Sequence, residues 1–160
     1  MKIFIMRHGN SFVGSAKDED RFLTECGINE SRAIAVWFKK QYYCIDYVLI
    51  SPYRRAIQTV SKINDILLLE HQVILTELKP NGNPSIVFQY LKKIYIDGIK
   101  SVLLVSHLPL ICNLINIICP NEKKIYTFAP SSITYIKFYL FKDKNKILWS
   151  VNPANISKPI

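Results

Sequence analysis

Acidic side chains are scarce in this sequence: 12 aspartates and glutamates stand against 21 lysines and arginines, a formal net charge of +9. A cationic surplus invites a polyanionic partner. The lysines, however, fall in scattered pairs (Lys39-Lys40, Lys92-Lys93, Lys123-Lys124), with no basic strip interleaved with aromatics. That pattern speaks against nucleic acid and leaves a generally basic surface suited to acidic or phosphorylated partners. Cysteine is also sparse. Cys26, Cys44, Cys112 and Cys119 form no C-x-x-C pair and share no metal-ligand spacing with the three histidines, so neither a disulfide framework nor a metal centre is expected. They read instead as small buried hydrophobes. The longest apolar run, Ser101 to Cys119, is broken by His107, Pro109, Asn113 and Asn116, which excludes a membrane span and fits a strand, a turn and a helix. No basic segment followed by an apolar core and a small-residue cleavage site opens the sequence. A cytoplasmic protein is therefore expected.

What is present suits one domain over residues 1–160. The length can bury a single substantial core, and 49% hydrophobic with 21% charged residues describes a globular chain. Lys2 to Gly9, K-I-F-I-M-R-H-G, is an apolar strand running into Arg7, His8 and Gly9. A polar loop follows from Asn10 to Asp20. Thr24 then caps a helix whose apolar face, Ile28, Ala33, Ile34, Val36, Trp37 and Phe38, carries it to about Lys40. Tyr47 to Ile50 is a second strand, and Pro52 suits the first turn of a helix marked by Ala56, Ile57, Val60, Ile63, Ile66 and Leu67. Val73 to Thr76 is a third strand, ahead of Glu77 and a turn-rich loop from Pro80 to Pro84. A helix over Ser85 to Ile96 leads to Ser101–Ser106, the most strand-like piece of the chain. Pro109 opens a short helix to Cys119. Ser131 to Leu140 and Lys146 to Val151 have β-rich patterns around a Lys-Asp-Lys-Asn turn, which predicts a hairpin or edge pair. Strands alternating with helices predict an α/β fold of three layers, a mainly parallel sheet with helices on both faces and no large insert.

In such a fold ligands bind at the carboxyl ends of the strands. Three strand ends there deliver Arg7 and His8, Arg55 through the start of its helix, and His107. Two arginines and two histidines on one rim repel each other unless an anion lies between them. Planar guanidinium forks suit phosphoryl oxygens, and the amino end of the Pro52–Arg55 helix adds free amide donors. One histidine can attack phosphorus while the other stabilises charge on an equatorial oxygen.

Arg7-His8-Gly9, the run Ser51-Pro52-Tyr53-Arg54-Arg55-Ala56-Ile57-Gln58-Thr59, and Ser106-His107-Leu108-Pro109-Leu110 together resemble the histidine phosphatase superfamily, also called the phosphoglycerate mutase-like fold. F-I-M-R-H-G, V-L-I-S-P and S-H-L-P-L resemble its SixA-type phosphohistidine phosphatases in particular, and Leu23-Thr24 and Thr76-Glu77-Leu78 extend the likeness along nearly the whole chain. The resemblance implies that His8 is the nucleophile and that Arg7, Arg55 and His107 complete a phosphate pocket, without a metal or other cofactor. Leu108 stands where many relatives place an aspartate. Glu77 occupies the position of an acidic proton donor in mutase-like relatives, or is a loop carboxylate balancing the arginines. The implied partner is a protein bearing phosphohistidine, a phosphotransfer domain or a phosphotransferase-system carrier. A monomer is expected, with neither nucleic acid nor membrane as partner. A small-molecule phosphatase or mutase, and a non-catalytic binder of phosphoproteins, are the alternatives.

Overall fold

The structure is a computed structural model that describes residues 1–14, 17–122, 127–140 and 145–156. Strands β1 (Lys2–Arg7), β2 (Tyr47–Ile50), β3 (Gln72–Ile74), β4 (Ser101–Ser106), β5 (Ile133–Lys137) and β6 (Lys146–Val151) form one sheet in the order β3-β2-β4-β1-β5-β6. The first four positions are parallel, and β5 and β6 pair antiparallel. Central strands face helices on both sides, which is why β1 and β4 read as unbroken apolar runs rather than alternating ones. Phe4 and Met6 point to one face, where α1 (Glu25–Lys39) and α2 (Arg54–Leu67) cover them with Ile34, Phe38, Val60 and Ile63. Ile3 and Ile5 point to the other, under Val87 and Leu91 of α3 (Pro84–Ile96) and Leu110 and Leu114 of α4 (Leu110–Ile118). Each fully buried side chain of this size contributes roughly 1.5–3 kcal/mol. A short α5 (Pro153–Ile156) packs beside α1. The three-layer, mainly parallel arrangement agrees with the sequence.

Local departures have physical reasons. The second helix begins at Arg54 with Tyr53 as its cap, so Pro52 lies ahead of the helix rather than in its first turn. Ser131, at φ +61°, makes a left-handed turn that delays β5 to Ile133. Val36 and Ile57 are exposed, because the buried stripes run through Ala35 and Phe38, and through Ala56 and Val60. Cys26 and Cys44 are exposed as well, and only Cys119 is fully buried, so the reading of all four as buried hydrophobes is corrected. The hairpin is present, but Lys142, Asp143 and Lys144 of its turn, like Lys123 and Lys124, lie outside the described residues. Among the described residues no helix is long and apolar enough to cross a membrane.

Strand register places the rim. Arg7 pairs with Ser106, and Ile50 with Val105, so the next residues, His8, Ser51 and His107, emerge side by side at the carboxyl edge of the parallel strands.

Candidate active site

His8 leaves β1 with its backbone pinned on both sides: its N–H donates to the Ser106 carbonyl at 3.0 Å, and its carbonyl accepts from Ser131 N–H at 3.1 Å. Gly9 follows because nothing larger fits. A Cβ there would lie 2.7 Å from the Gly27 carbonyl oxygen and 2.8 Å from Ser31 Oγ, so the glycine admits α1 against the loop rather than providing an unusual backbone angle. Gly9 N–H donates to Thr59 Oγ1 at 3.0 Å, and Gln58 Oε1 accepts from Leu23 N–H at 2.8 Å. The Gln-Thr pair of the Ser51–Thr59 run thus ties α2 to the loops leaving β1.

The ring of His8 is held by its own neighbour. Nδ1 lies 2.7 Å from the Gly9 carbonyl oxygen, which can only accept, so Nδ1 carries the hydrogen and Nε2 keeps its lone pair. Arg55 Nε–H donates to that lone pair at 3.2 Å. The His107 ring lies 4.8 Å from the His8 ring, centre to centre, and its Nε2 is 2.6 Å from Ser51 Oγ. Tyr53 packs edge-on against His107 at 5.1 Å and lies 5.0 Å beneath the Arg55 guanidinium. Arg7 Nη1 donates to the Phe128 carbonyl at 2.7 Å. Two polar nitrogens, Arg7 Nε and His107 Nδ1, are buried with no hydrogen-bond partner among the described residues.

Burial and positive charge keep both rings neutral. Desolvation, reinforced by Arg55 and Arg7, lowers the His8 pKa from 6.5 to about 4 despite the Gly9 hydrogen bond. Desolvation, then His8 and Arg55, lowers that of His107 to about 2.

Four of the five residues singled out in the sequence, Arg7, His8, Arg55 and His107, therefore meet in one cluster. Glu77 sits on the 3₁₀ turn Thr76–Leu78 after β3, where its carboxylate accepts from Asn83 N–H at 2.8 Å and braces the following loop. Sequence reasoning missed Asp18. Its carboxylate accepts from Arg55 Nη2 and from Arg21 Nη1, both at 3.0 Å, and its carbonyl accepts from Arg55 Nη1 at 2.5 Å. Burial pushes the Asp18 carboxyl up, but the hydrogen bonds from Arg21 and Arg55 outweigh it and hold the group below the usual carboxylate range. The loop from Phe128 to Ser132, which receives Arg7 and His8, was also missed. Beside the cluster a groove of about 750 Å³ runs between Phe22, Tyr53, Arg54, Ile57 and Lys79. Arg54 is exposed there, stacked 4.4 Å over Phe22, which suits a rim contact rather than a pocket cation.

Residues 3–78 match the model of the histidine phosphatase superfamily (branch 1). The chain is 38% identical over 159 residues to the phosphohistidine phosphatase SixA of Escherichia coli, covering 98% of this chain and 96% of that one. The chain belongs to the histidine phosphatase superfamily. A second member, the SixA homolog of Haemophilus influenzae, is 32% identical over 98% of this chain and 93% of its own. Among solved structures, the protein histidine phosphatase SixA complexed with tungstate superposes with a TM-score of 0.93 at 37% identity, over 98% of this chain and all of that one. The histidine phosphatase architecture thus extends across the described sheet, beyond the segment its family model matches.

Proposed function

We propose that this superfamily member is a protein phosphohistidine phosphatase that works through a phosphorylated His8. One observation carries the reading: a lone-pair nitrogen of a neutral, buried histidine faces Arg55, beside two buried nitrogens, Arg7 Nε and His107 Nδ1, that have no partner among the described residues. An unsatisfied buried donor costs about 1–3 kcal/mol, and phosphoryl oxygens would satisfy Arg7 Nε and, in the tautomer that carries its hydrogen there, His107 Nδ1. The relative that superposes so closely is complexed with tungstate, an anion of the same shape and charge class as phosphate.

In the first step His8 Nε2 attacks phosphorus and the phosphorus–nitrogen bond of the substrate breaks. The substrate imidazole, already protonated on its other ring nitrogen, departs as the neutral ring with the electron pair of the broken bond on the freed nitrogen. In the second step water attacks phosphorus, the bond to Nε2 breaks and orthophosphate leaves. Arg7 and Arg55 neutralise the transferring group, and His107 donates to an equatorial oxygen. With Arg7 and Arg55 supplying this charge, no metal is required. Phosphohistidine suits a site where the carboxylate that touches the cluster, Asp18, is committed to two arginines, because the second ring nitrogen of the leaving group can itself hold a proton near neutral pH. A substrate presented on another protein, a phosphotransfer domain or a phosphocarrier, fits the open groove beside the cluster.

Mixing the enzyme with a protein carrying radiolabelled phosphohistidine, quenching early and mapping the label should place phosphate on His8. Label elsewhere, or sugar phosphates cleaved much faster than the phosphohistidine protein, would overturn the proposal.

A further inference from the structure

Ser51 is wholly buried at the end of β2, and its hydroxyl has one heavy use: the 2.6 Å contact with His107 Nε2. A hydroxyl and a ring nitrogen share one hydrogen across such a contact, and two arrangements are possible. If Nε2 carried it, Nδ1 would present a bare lone pair toward whatever shares the cluster. With Arg7 and Arg55 drawing an anion to that cluster, lone pair would meet phosphoryl oxygen. If Ser51 donates instead, Nε2 is the acceptor and the hydrogen of the neutral ring must reside on Nδ1, which is buried without a partner among the described residues. Tyr53 N–H, at 3.4 Å from Ser51 Oγ, approaches as a weak donor and so occupies an acceptor side of the hydroxyl, which turns the hydroxyl hydrogen toward His107. The backbone holds the contact in place: Ser51 N–H donates to the Val105 carbonyl at 3.0 Å, fixing the serine beside the strand that carries His107.

We infer that Ser51 is a positioning residue that sets the tautomer of His107, so that the ring offers its Nδ1–H to the phosphoryl group. The serine does not touch substrate. It acts through the ring, as the outer partners of metal-bound histidines do. Both histidines of the cluster then carry hydrogen on Nδ1 for opposite purposes: His8 to free Nε2 for attack, His107 to present a donor.

The assignment rests on the phosphoryl-transfer reading for disfavouring the other tautomer and on the Tyr53 contact independently of it, so the two can fail separately. Long-range nitrogen–proton spectra of the free, nitrogen-15-labelled protein at neutral pH, with His8→Asn and His71→Gln variants to assign the rings, should show His107 protonated at Nδ1 and bare at Nε2. The reverse pattern overturns the inference whatever the substrate is. Ser51→Ala should move His107 toward the Nε2–H form and lower kcat on a phosphohistidine peptide and on p-nitrophenyl phosphate about 10- to 100-fold, with KM little changed. Ser51→Thr, which keeps the hydroxyl, should restore the spectrum and most of kcat. An alanine variant that folds with the ring pattern and kcat unchanged would refute the assignment; if neither variant folds, the wild-type spectrum still decides. A wild-type enzyme that shows the expected spectrum yet leaves phosphohistidine intact would sink the functional proposal and spare this one.

Discussion

His8 and His107, on the ends of β1 and β4, keep only 7% and 1% of their surface exposed, whereas Asp18, which grips the same Arg55, leaves 52% of its side chain in solvent. The floor of the site is made of strand ends whose backbone groups are fixed by the sheet and whose rings are oriented by Gly9 and Ser51. The rim is made of short loops, the Asp18–Asp20 turn and the Thr76–Leu78 turn, whose carboxylates, Asp18 and Glu77, reach out to Arg21, Arg55 and Asn83, although Leu78 itself is buried and its carbonyl accepts from Ser106 Oγ. Groups that must meet phosphorus in one geometry need the first kind of support; groups that admit or refuse a substrate can use the second. If this division is right, substitutions on the floor should cost orders of magnitude in turnover and those on the rim only small factors.

The largest effect belongs to the proposed nucleophile. His8→Ala should lower kcat by about 10⁴-fold or more, since the covalent step has no other nitrogen to use. Residual turnover near wild type would mean that the floor does not perform the chemistry. Arg55→Lys comes next. Arg55 spends Nε on His8 and both terminal nitrogens on Asp18, a fork that a single ammonium cannot reproduce. A fall of about 10²- to 10³-fold in kcat/KM is expected. A loss under tenfold would show that charge alone suffices there.

How far the sequence reveals the site follows the same boundary. Arg7, His8 and His107 are legible because a strand end is a local pattern: apolar residues fix the support, and the next residues inherit its position. Arg55 is legible through the motif that opens α2. Asp18 is not, because its place depends on a loop that folds back onto Arg55 across 37 positions of sequence. The Gly9 carbonyl and the loop at Phe128 were invisible for a related reason: backbone groups carry no signature in residue type. The sheet itself was readable, but exposed Val36 and Ile57 show that an apolar residue beside a buried stripe need not belong to it. Ile57 instead borders the groove.

Acid should separate the two regions again. Unfolded imidazoles take up a proton near 6.5, while His8 resists to about 4 and His107 to about 2. Below 6.5 the unfolded chain binds more protons than the folded one, so stability falls as pH falls, by about 1.4 kcal/mol per unit for each ring until its folded pKa is reached. Urea midpoints between pH 7 and 4 would measure the slope. The His8→Asn, His107→Asn double variant should flatten it, and an unchanged slope would place the titrating groups elsewhere. On the rim, Asp18→Asn removes an exposed anion from Arg55 and Arg21. Half of the Asp18 side chain lies in solvent, which screens its hold on buried Arg55 to about 1 kcal/mol or less, so inhibition by orthophosphate should tighten by only about two- to fivefold. Weaker inhibition would show that Asp18 chiefly aims Arg55 rather than competing for it.

Glu77 gives the smallest expected change and the sharpest test of the division, because sequence likeness would make it a proton donor and its surroundings make it a brace. Its carboxylate is engaged by Asn83 N–H at 2.8 Å. Glutamine retains an oxygen for that contact and loses only the acid. Glu77→Gln should therefore leave kcat on a phosphohistidine peptide within about twofold, as expected of a surface substitution that preserves its hydrogen bond. A proton donor would behave differently, with a loss of about 10²- to 10⁴-fold that grows as the leaving group becomes more basic. Measuring the variant on phosphohistidine and on an alkyl phosphate separates the cases: equal, small effects on both assign Glu77 to the rim. A large loss confined to the alkyl phosphate would mean that the floor borrows its acid from a loop.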